Sequence, residues 1–149
     1  TTEIYTLSLH DALPIYENGH EMVAAHRGDG MGLEMIRQKL GISIVVISKE
    51  RNPVVARRCE KLKIPYRQGV DKKASVLQAI LSEQNIDPAQ AAYIGNDVND
   101  LDCFDLVGYR VAPADAHESV KQKADLVLQK NGGHGAVREF CDRLMEEYT

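Results

Sequence analysis

The chain has 149 residues, 44% of them hydrophobic and 27% charged, with a formal net charge of −4. That is enough for one domain with a sizeable core, and it leaves no broad basic field to attract nucleic acid or an anionic membrane. No apolar run of about 18 residues is present to span a bilayer, and sparse aromatics without tryptophan offer no stacking platform for single strands.

Residues 1–15 show no clean period of 2 or 3.6; residues 4–9 read as a strand. Glu17-Asn18-Gly19-His20 is a turn, and Asn-Gly predicts a type I′ hairpin between Ile15-Tyr16 and residues 21–25. His20 and His26 lack a third ligand at metal spacing and read as solvated. Residues 27–32 pack Gly28, Gly30 and Gly32 beside Arg27 and Asp29. They read as a glycine-rich loop entering a helix, able to cradle an anion; a tight strand-to-helix turn needs the same residues. Leu33, Ile36 and Leu40 then recur at helical spacing, and Gly41 ends the helix.

Residues 43–47 are a β-branched apolar run, the signature of a buried parallel strand. Ser48 stands at its carboxyl end, where a hydroxyl serves a phosphate oxygen or a turn. Asn52 and Pro53 open a helix over 53–62, and a short strand follows at 64–68. Residues 69–71 turn into a helix whose core face is Val76, Leu77, Ile80 and Leu81. Lys73 falls in its first turn, where a cation opposes the helix dipole. That position calls for a reason, although a solvated lysine is the commoner one.

After the turn at Asp87-Pro88 comes a buried strand at 91–94, and then Gly95-Asn96-Asp97-Val98-Asn99-Asp100. Asp97 and Asp100 share a face if a helical turn starts here, and a hard cation such as Mg²⁺ would relieve their repulsion. The same residues also make a good helix start, with Asp97 as N-cap, and the isolated pattern favours that reading. Strands at 109–111 and 126–128, a helix after 113–117, a flexible glycine-rich loop at 131–135 and a closing amphipathic helix to Tyr148 complete the chain. The alternation predicts a three-layer α/β domain on a parallel sheet. Cys59, Cys103 and Cys141, odd in number and far apart, read as buried thiols of a reducing, cytoplasmic compartment.

Taken together, Glu17-Asn18-Gly19, Gly30-Met31-Gly32, Ile47-Ser48, residues 52–58, residues 68–73, residues 93–100, residues 111–116 and residues 132–139 resemble the small capless haloacid-dehalogenase-type phosphatases. Within that superfamily the chain is similar to the 3-deoxy-manno-octulosonate 8-phosphate phosphatase branch, and most of all to the related domain linked to acylneuraminate cytidylyltransferase. The resemblance runs over residues 16–148. It implies a Rossmann-like fold with a hairpin flap and no large cap. It also implies an aspartate nucleophile with Mg²⁺ that hydrolyses the phosphomonoester of a keto-deoxy sugar acid through an aspartyl-phosphate. By motif, Ser48 binds phosphate, Lys73 neutralises nucleophile and phosphate, and Asn96, Asp97 and Asp100 form the acidic motif, with Asp97 and Asp100 at the metal. Asn96, Gly30 and Arg138 join Ser48 and Lys73 in the substrate-binding set. Arg138 belongs to residues 132–138, which in homotetrameric relatives meet a neighbour's site.

The departures from the family are specific. The Asp-x-Asp nucleophile motif should fall near Glu3 and Tyr5, and it is absent. Asn96 replaces the first acid of the fourth motif, Arg27 lies one place early, and Ser48-Lys49-Glu50 stands for Thr-Gly-Arg. Residues 1–15 read as foreign to the family, such as a broken gene end joined to translated adaptor sequence, and 16–149 as the domain, with its central strand missing or replaced. The expectations are therefore a nearly inactive sugar-acid-phosphate phosphatase of low stability, or an oligomerisation module behind a sialic-acid-activating nucleotidyltransferase. A receiver-like α/β domain is the third reading; it lacks a phosphorylatable aspartate at any strand end but that of residues 91–94.

Overall fold

The centre of the sheet is held by a strand near the start of the chain. The computed structural model describes residues 4–5 and 15–149, so the reading placed on Glu3 and residues 6–9 of the expected strand lie outside the described residues. β1 (Ile4–Tyr5) pairs in parallel with β2 (Val46–Ile47) on one side and β4 (Ala92–Ile94) on the other. β3 (Tyr66–Arg67), β5 (Tyr109–Ala112) and β6 (Leu126–Val127) complete a six-stranded parallel sheet of order β3-β2-β1-β4-β5-β6. The central position is thus filled by Ile4 and Tyr5, from the stretch that the sequence reading set apart from the family's pattern. The strand expected at 43–47 is observed over Val46–Ile47, with Ile44 and Val45 buried ahead of it.

Alternation of side chains sorts the core into two layers. Ile44, Val46, Ala92, Ile94 and Val111 belong to one buried cluster; Val45, Ile47, Tyr93 and Ala112 belong to the other. The first is covered by α1 (Arg27–Leu40), α2 (Val54–Leu62) and α6 (Ala136–Tyr148). The second is covered by α3 (Lys73–Glu83), α4 (Leu101–Phe104) and α5 (Glu118–Lys123). Burial on both faces explains why these strands read as continuous apolar runs. No described helix is long and apolar enough to cross a membrane.

Two local expectations are corrected. Residues 27–32 are not a loop but the first turns of α1. A Cβ on Gly32 would lie 3.0 Å from Cys141 Cβ, and one on Gly30 would lie 2.8 Å from Leu62 Cδ2. The glycines therefore let α1 approach α6 and α2 closely, and propensity yields to packing. The hairpin turn is not type I′: Gly19 alone has positive φ, at 84°. The Gly19 N–H donates to Tyr16 O and the Tyr16 N–H to His20 O, the pattern of a type I turn closed by a left-handed glycine. Ile15 and Glu21 form the single antiparallel bridge described there.

Candidate functional site

Parallel strands deliver their carboxyl ends to one edge, where open α/β sheets bind ligands. Tyr5 is in register with both Val46 and Ile94, so Ser48 and Asn96 each stand two residues past the same level. With strands about 4.8 Å apart, the Ser48 and Asn96 rows are about 10 Å apart across β1.

Asp100 is the buried centre of this edge. It is 0% exposed, and its carboxylate takes four donors. Oδ1 accepts Lys73 Nζ at 2.8 Å and the Tyr93 hydroxyl at 2.8 Å. Oδ2 accepts the backbone N–H groups of Asn96 at 3.0 Å and Asp97 at 3.3 Å. A carboxylate has about four acceptor positions, so this one is saturated. Gly95 makes the arrangement possible, since a Cβ there would sit 2.6 Å from Asp100 Cβ. Burial, then the Asp100 carboxylate, hold the Tyr93 phenol well above its ordinary range, which keeps it a proton donor. Lys73 has the reason its position lacked: the first residue of α3, 9% exposed, neutralises Asp100.

Asp97 is exposed and caps the short 3-10 turn Val98–Asp100, its Oδ1 accepting the Val98 N–H at 2.7 Å. Asp97 and Asp100 form a reciprocal capping box, which is the helix-start alternative realised. Where the sequence reading placed a magnesium ligand, the Asp100 lone pairs face protein donors. Among the described residues no group of three or more His, Cys, Asp or Glu side chains is placed to hold a metal. Asp97 and Asn96 supply two side-chain oxygen donors where Mg²⁺ takes about six, so they do not hold it by themselves.

Ser48 is 7% exposed. Its Oγ accepts the Glu50 N–H at 3.1 Å, and its carbonyl accepts the Val70 N–H at 3.1 Å. The loops after β2 and β3 are thus joined at the same edge. The His117 N–H donates to Asn96 O at 2.8 Å and brings the start of α5 there too. Gly30 and Arg138 lie elsewhere, at the junction of α1 with α2 and α6. Gly30 packs against Leu62 and Arg58. In this chain Arg138 Nε bonds Asp142 Oδ1 at 2.8 Å, and its backbone N–H donates to Asp29 Oδ1 at 2.9 Å. Sequence reasoning missed Tyr93, whose available signal was a phenol in an otherwise aliphatic buried run; such hydroxyls usually find a partner.

A family profile described as haloacid dehalogenase-like hydrolase matches residues 65–140. The 3-deoxy-D-manno-octulosonate 8-phosphate phosphatase KdsC of Escherichia coli (strain K12) is 36% identical over 129 residues, covering 86% of this chain and 68% of that protein. N-acylneuraminate cytidylyltransferase A of Danio rerio is 28% identical over 132 residues, covering 86% of this chain and 30% of that protein. The 3-deoxy-D-manno-octulosonate 8-phosphate phosphatase of Moraxella catarrhalis, solved with magnesium, phosphate and a KDO molecule, superposes with a TM-score of 0.89 at 28% identity. That superposition covers 97% of this chain and 84% of the other. With a six-stranded parallel sheet, no large cap and a lysine–aspartate pair at its carboxyl edge, the chain belongs to the haloacid dehalogenase-like hydrolase family.

Proposed function

We propose that residues 16–149 form a sugar-acid-phosphate phosphatase domain that binds its phosphomonoester at the carboxyl edge but turns it over poorly. The observation that carries this reading is Lys73, a buried ammonium fixed by Asp100 beside the Asn96-Asp97 backbone. A cation held there needs no reorganisation to meet a phosphate. Ser48, at the tip of β2, supplies a hydroxyl to the same anion. The substrate class follows from the relatives, which are phosphatases of 3-deoxy-D-manno-octulosonate 8-phosphate; a nonulosonate 9-phosphate has the same chemistry. Poor turnover follows from Glu3 and Tyr5 standing where the nucleophile motif belongs. Without an aspartate there, no aspartyl-phosphate forms. Magnesium belongs to this reading through the Moraxella relative, with Asn96 and Asp97 as the donors this chain contributes.

The test is turnover of 3-deoxy-octulosonate 8-phosphate with and without Mg²⁺, beside binding of the same ester by calorimetry. The expected result is measurable binding, lost in Lys73→Ala, with turnover no higher than in that variant. Clear Mg²⁺-dependent turnover overturns the missing-nucleophile argument. A second reading is favoured by the zebrafish match, in which 86% of this chain covers only 30% of a cytidylyltransferase. There the domain is a homotetrameric module behind a nucleotidyltransferase in the cytoplasm. The genomic sequence upstream of residue 16 decides between them: an Asp-x-Asp-Gly strand favours the phosphatase, a nucleotide-binding domain the fusion.

A further inference from the structure

Half of the chain's 18 lysines and arginines fall within residues 49–73, where only three carboxylates accompany them. Three of these cations, Arg57, Arg58 and Lys61, border a cavity of about 240 Å³ between α1, α2 and the extended segment 23–26 that leaves the hairpin. Its walls are apolar: Val23, Leu33, Val54 and Leu62 line it, with Gly30 as bare helix backbone. None of Ser48, Lys73, Asn96, Asp97 or Asp100 lines it, so it is distinct from the carboxyl-edge site.

The charge around this cleft is unbalanced. Among the described residues, none of the three cations has a carboxylate within ion-pair distance. Arg58 has one hydrogen bond, to the His26 carbonyl at 3.4 Å, a long contact that leaves most of its donors unused. It lies over Gly30, where a Cβ would come within 2.9 Å of Nη2. The one carboxylate in the wall, Asp29, is 7% exposed and turned to other partners, the Arg138 N–H at 2.9 Å and His26 Nδ1 at 3.7 Å. An apolar cleft with donors at one rim matches the general form of a small-molecule site. Its volume is below the roughly 300–1,000 Å³ of drug-sized ligand pockets, so the occupant is small.

We propose that this cleft is a second ligand site that takes a small carboxylic acid with an apolar body. The body lies against Val23, Leu33, Val54 and Leu62, and the carboxylate meets Arg58 with Arg57 and Lys61. A sugar acid does not fit this description, because its hydroxyls would face apolar walls without partners. The assignment is independent of the phosphatase reading.

The test is a ¹⁵N NMR titration of the full chain with hexanoate, hexan-1-ol and hexylammonium. Hexanoate should shift the amides of Val23, Gly30 and Arg58 saturably. Hexan-1-ol should bind about tenfold more weakly or worse, since a hydrogen bond to a charged group is lost, and hexylammonium should not bind. The Arg57→Gln/Arg58→Gln variant should lose about tenfold for hexanoate and nothing for hexan-1-ol. Because Arg58 packs against Gly30, Lys61→Gln, on an exposed side chain of the same helix, serves as a second variant and should weaken hexanoate alone. Equal affinity for the three probes overturns the anion assignment. Shifts confined to Ser48 and Lys73, or no saturation, overturn the site. Light scattering adds one more outcome: hexanoate binding that appears only when a self-associated form is diluted makes a second copy the occupant and overturns the proposal.

Discussion

At the scale of single residues, the Asp100 cluster governs both stability and chemistry. Removing Asp100 would strand the Lys73 ammonium at 9% exposure. Breaking such a buried pair costs about 3–5 kcal/mol, so Asp100→Ala should lower the stability read by urea denaturation by that amount. Tyr93→Phe removes one of four donors to the same carboxylate and should cost about 1.5–3 kcal/mol. The pH dependence has a definite sign. Burial, partly offset by Arg58 at Cys59 and by the Tyr93 hydrogen bond at Cys103, raises the two thiols from 9.0 to about 11. Their unfolded forms therefore ionise first, so the stability they contribute is complete below about pH 9 and is lost as pH rises toward 11. Tyr93 adds to the same alkaline loss from its own raised value. Melts between pH 8 and 11 should fall steadily, and the Tyr93→Phe melts should fall less steeply. Lys73 was legible in the sequence because a cation opening a helix is out of place. The role of Asp100 was not, since a saturated carboxylate and a metal ligand share one spacing.

Element by element, packing decided where pattern was ambiguous. Three glycines in six residues imitate a loop, yet α1 runs through them because α6 and α2 take up the space their side chains would fill. Gly→Ala in a helix ordinarily gains stability. Here Gly32→Ala should lose it, by about 1–3 kcal/mol, since the new Cβ meets Cys141 Cβ at 3.0 Å and Arg138 Cδ at 2.9 Å; differential scanning calorimetry reads the sign directly. β5 is tied to the segment before β6 by Arg110 and Asp125. The guanidinium meets Asp125 with Nε at 2.9 Å and Nη2 at 2.9 Å, and the backbone N–H adds a bond at 2.8 Å. The Arg110 hydrogen bond is the leading reason the Asp125 carboxyl lies below its usual value. Its contribution is therefore complete above about pH 4 and fades as pH falls through the lowered value. Asp125→Asn should flatten the acid limb of the melting curve.

For the whole molecule, the decisive feature is a sheet whose middle position is taken by Ile4–Tyr5. Hydrophobic runs in the sequence announced a parallel α/β domain, and the sheet bears this out. Residues 4–9 read as a strand, but without a clean period nothing announced that Ile4 and Tyr5 would occupy the centre. Low stability was expected if β2 and β4 lacked a neighbour; instead both pair with β1. Tyr5→Pro removes a backbone N–H from the middle of the sheet and leaves an acceptor unsatisfied, at a cost of about 1–3 kcal/mol. For a chain of this size the melting midpoint should fall by about 2–12 °C. An unchanged midpoint would mean the strand contributes nothing. The clefts beyond the strand tips were illegible because their walls come from segments distant in sequence.

The outer strands have a consequence of their own. β3 and β6 each span two residues, with Pro65 and Arg67 marking one border and Asp125 the other. So short a fringe, guarded by charge and an imino acid, gives an incoming chain almost nothing to zip onto. When the protein is concentrated, fibrillar growth from its flanks should therefore be rare.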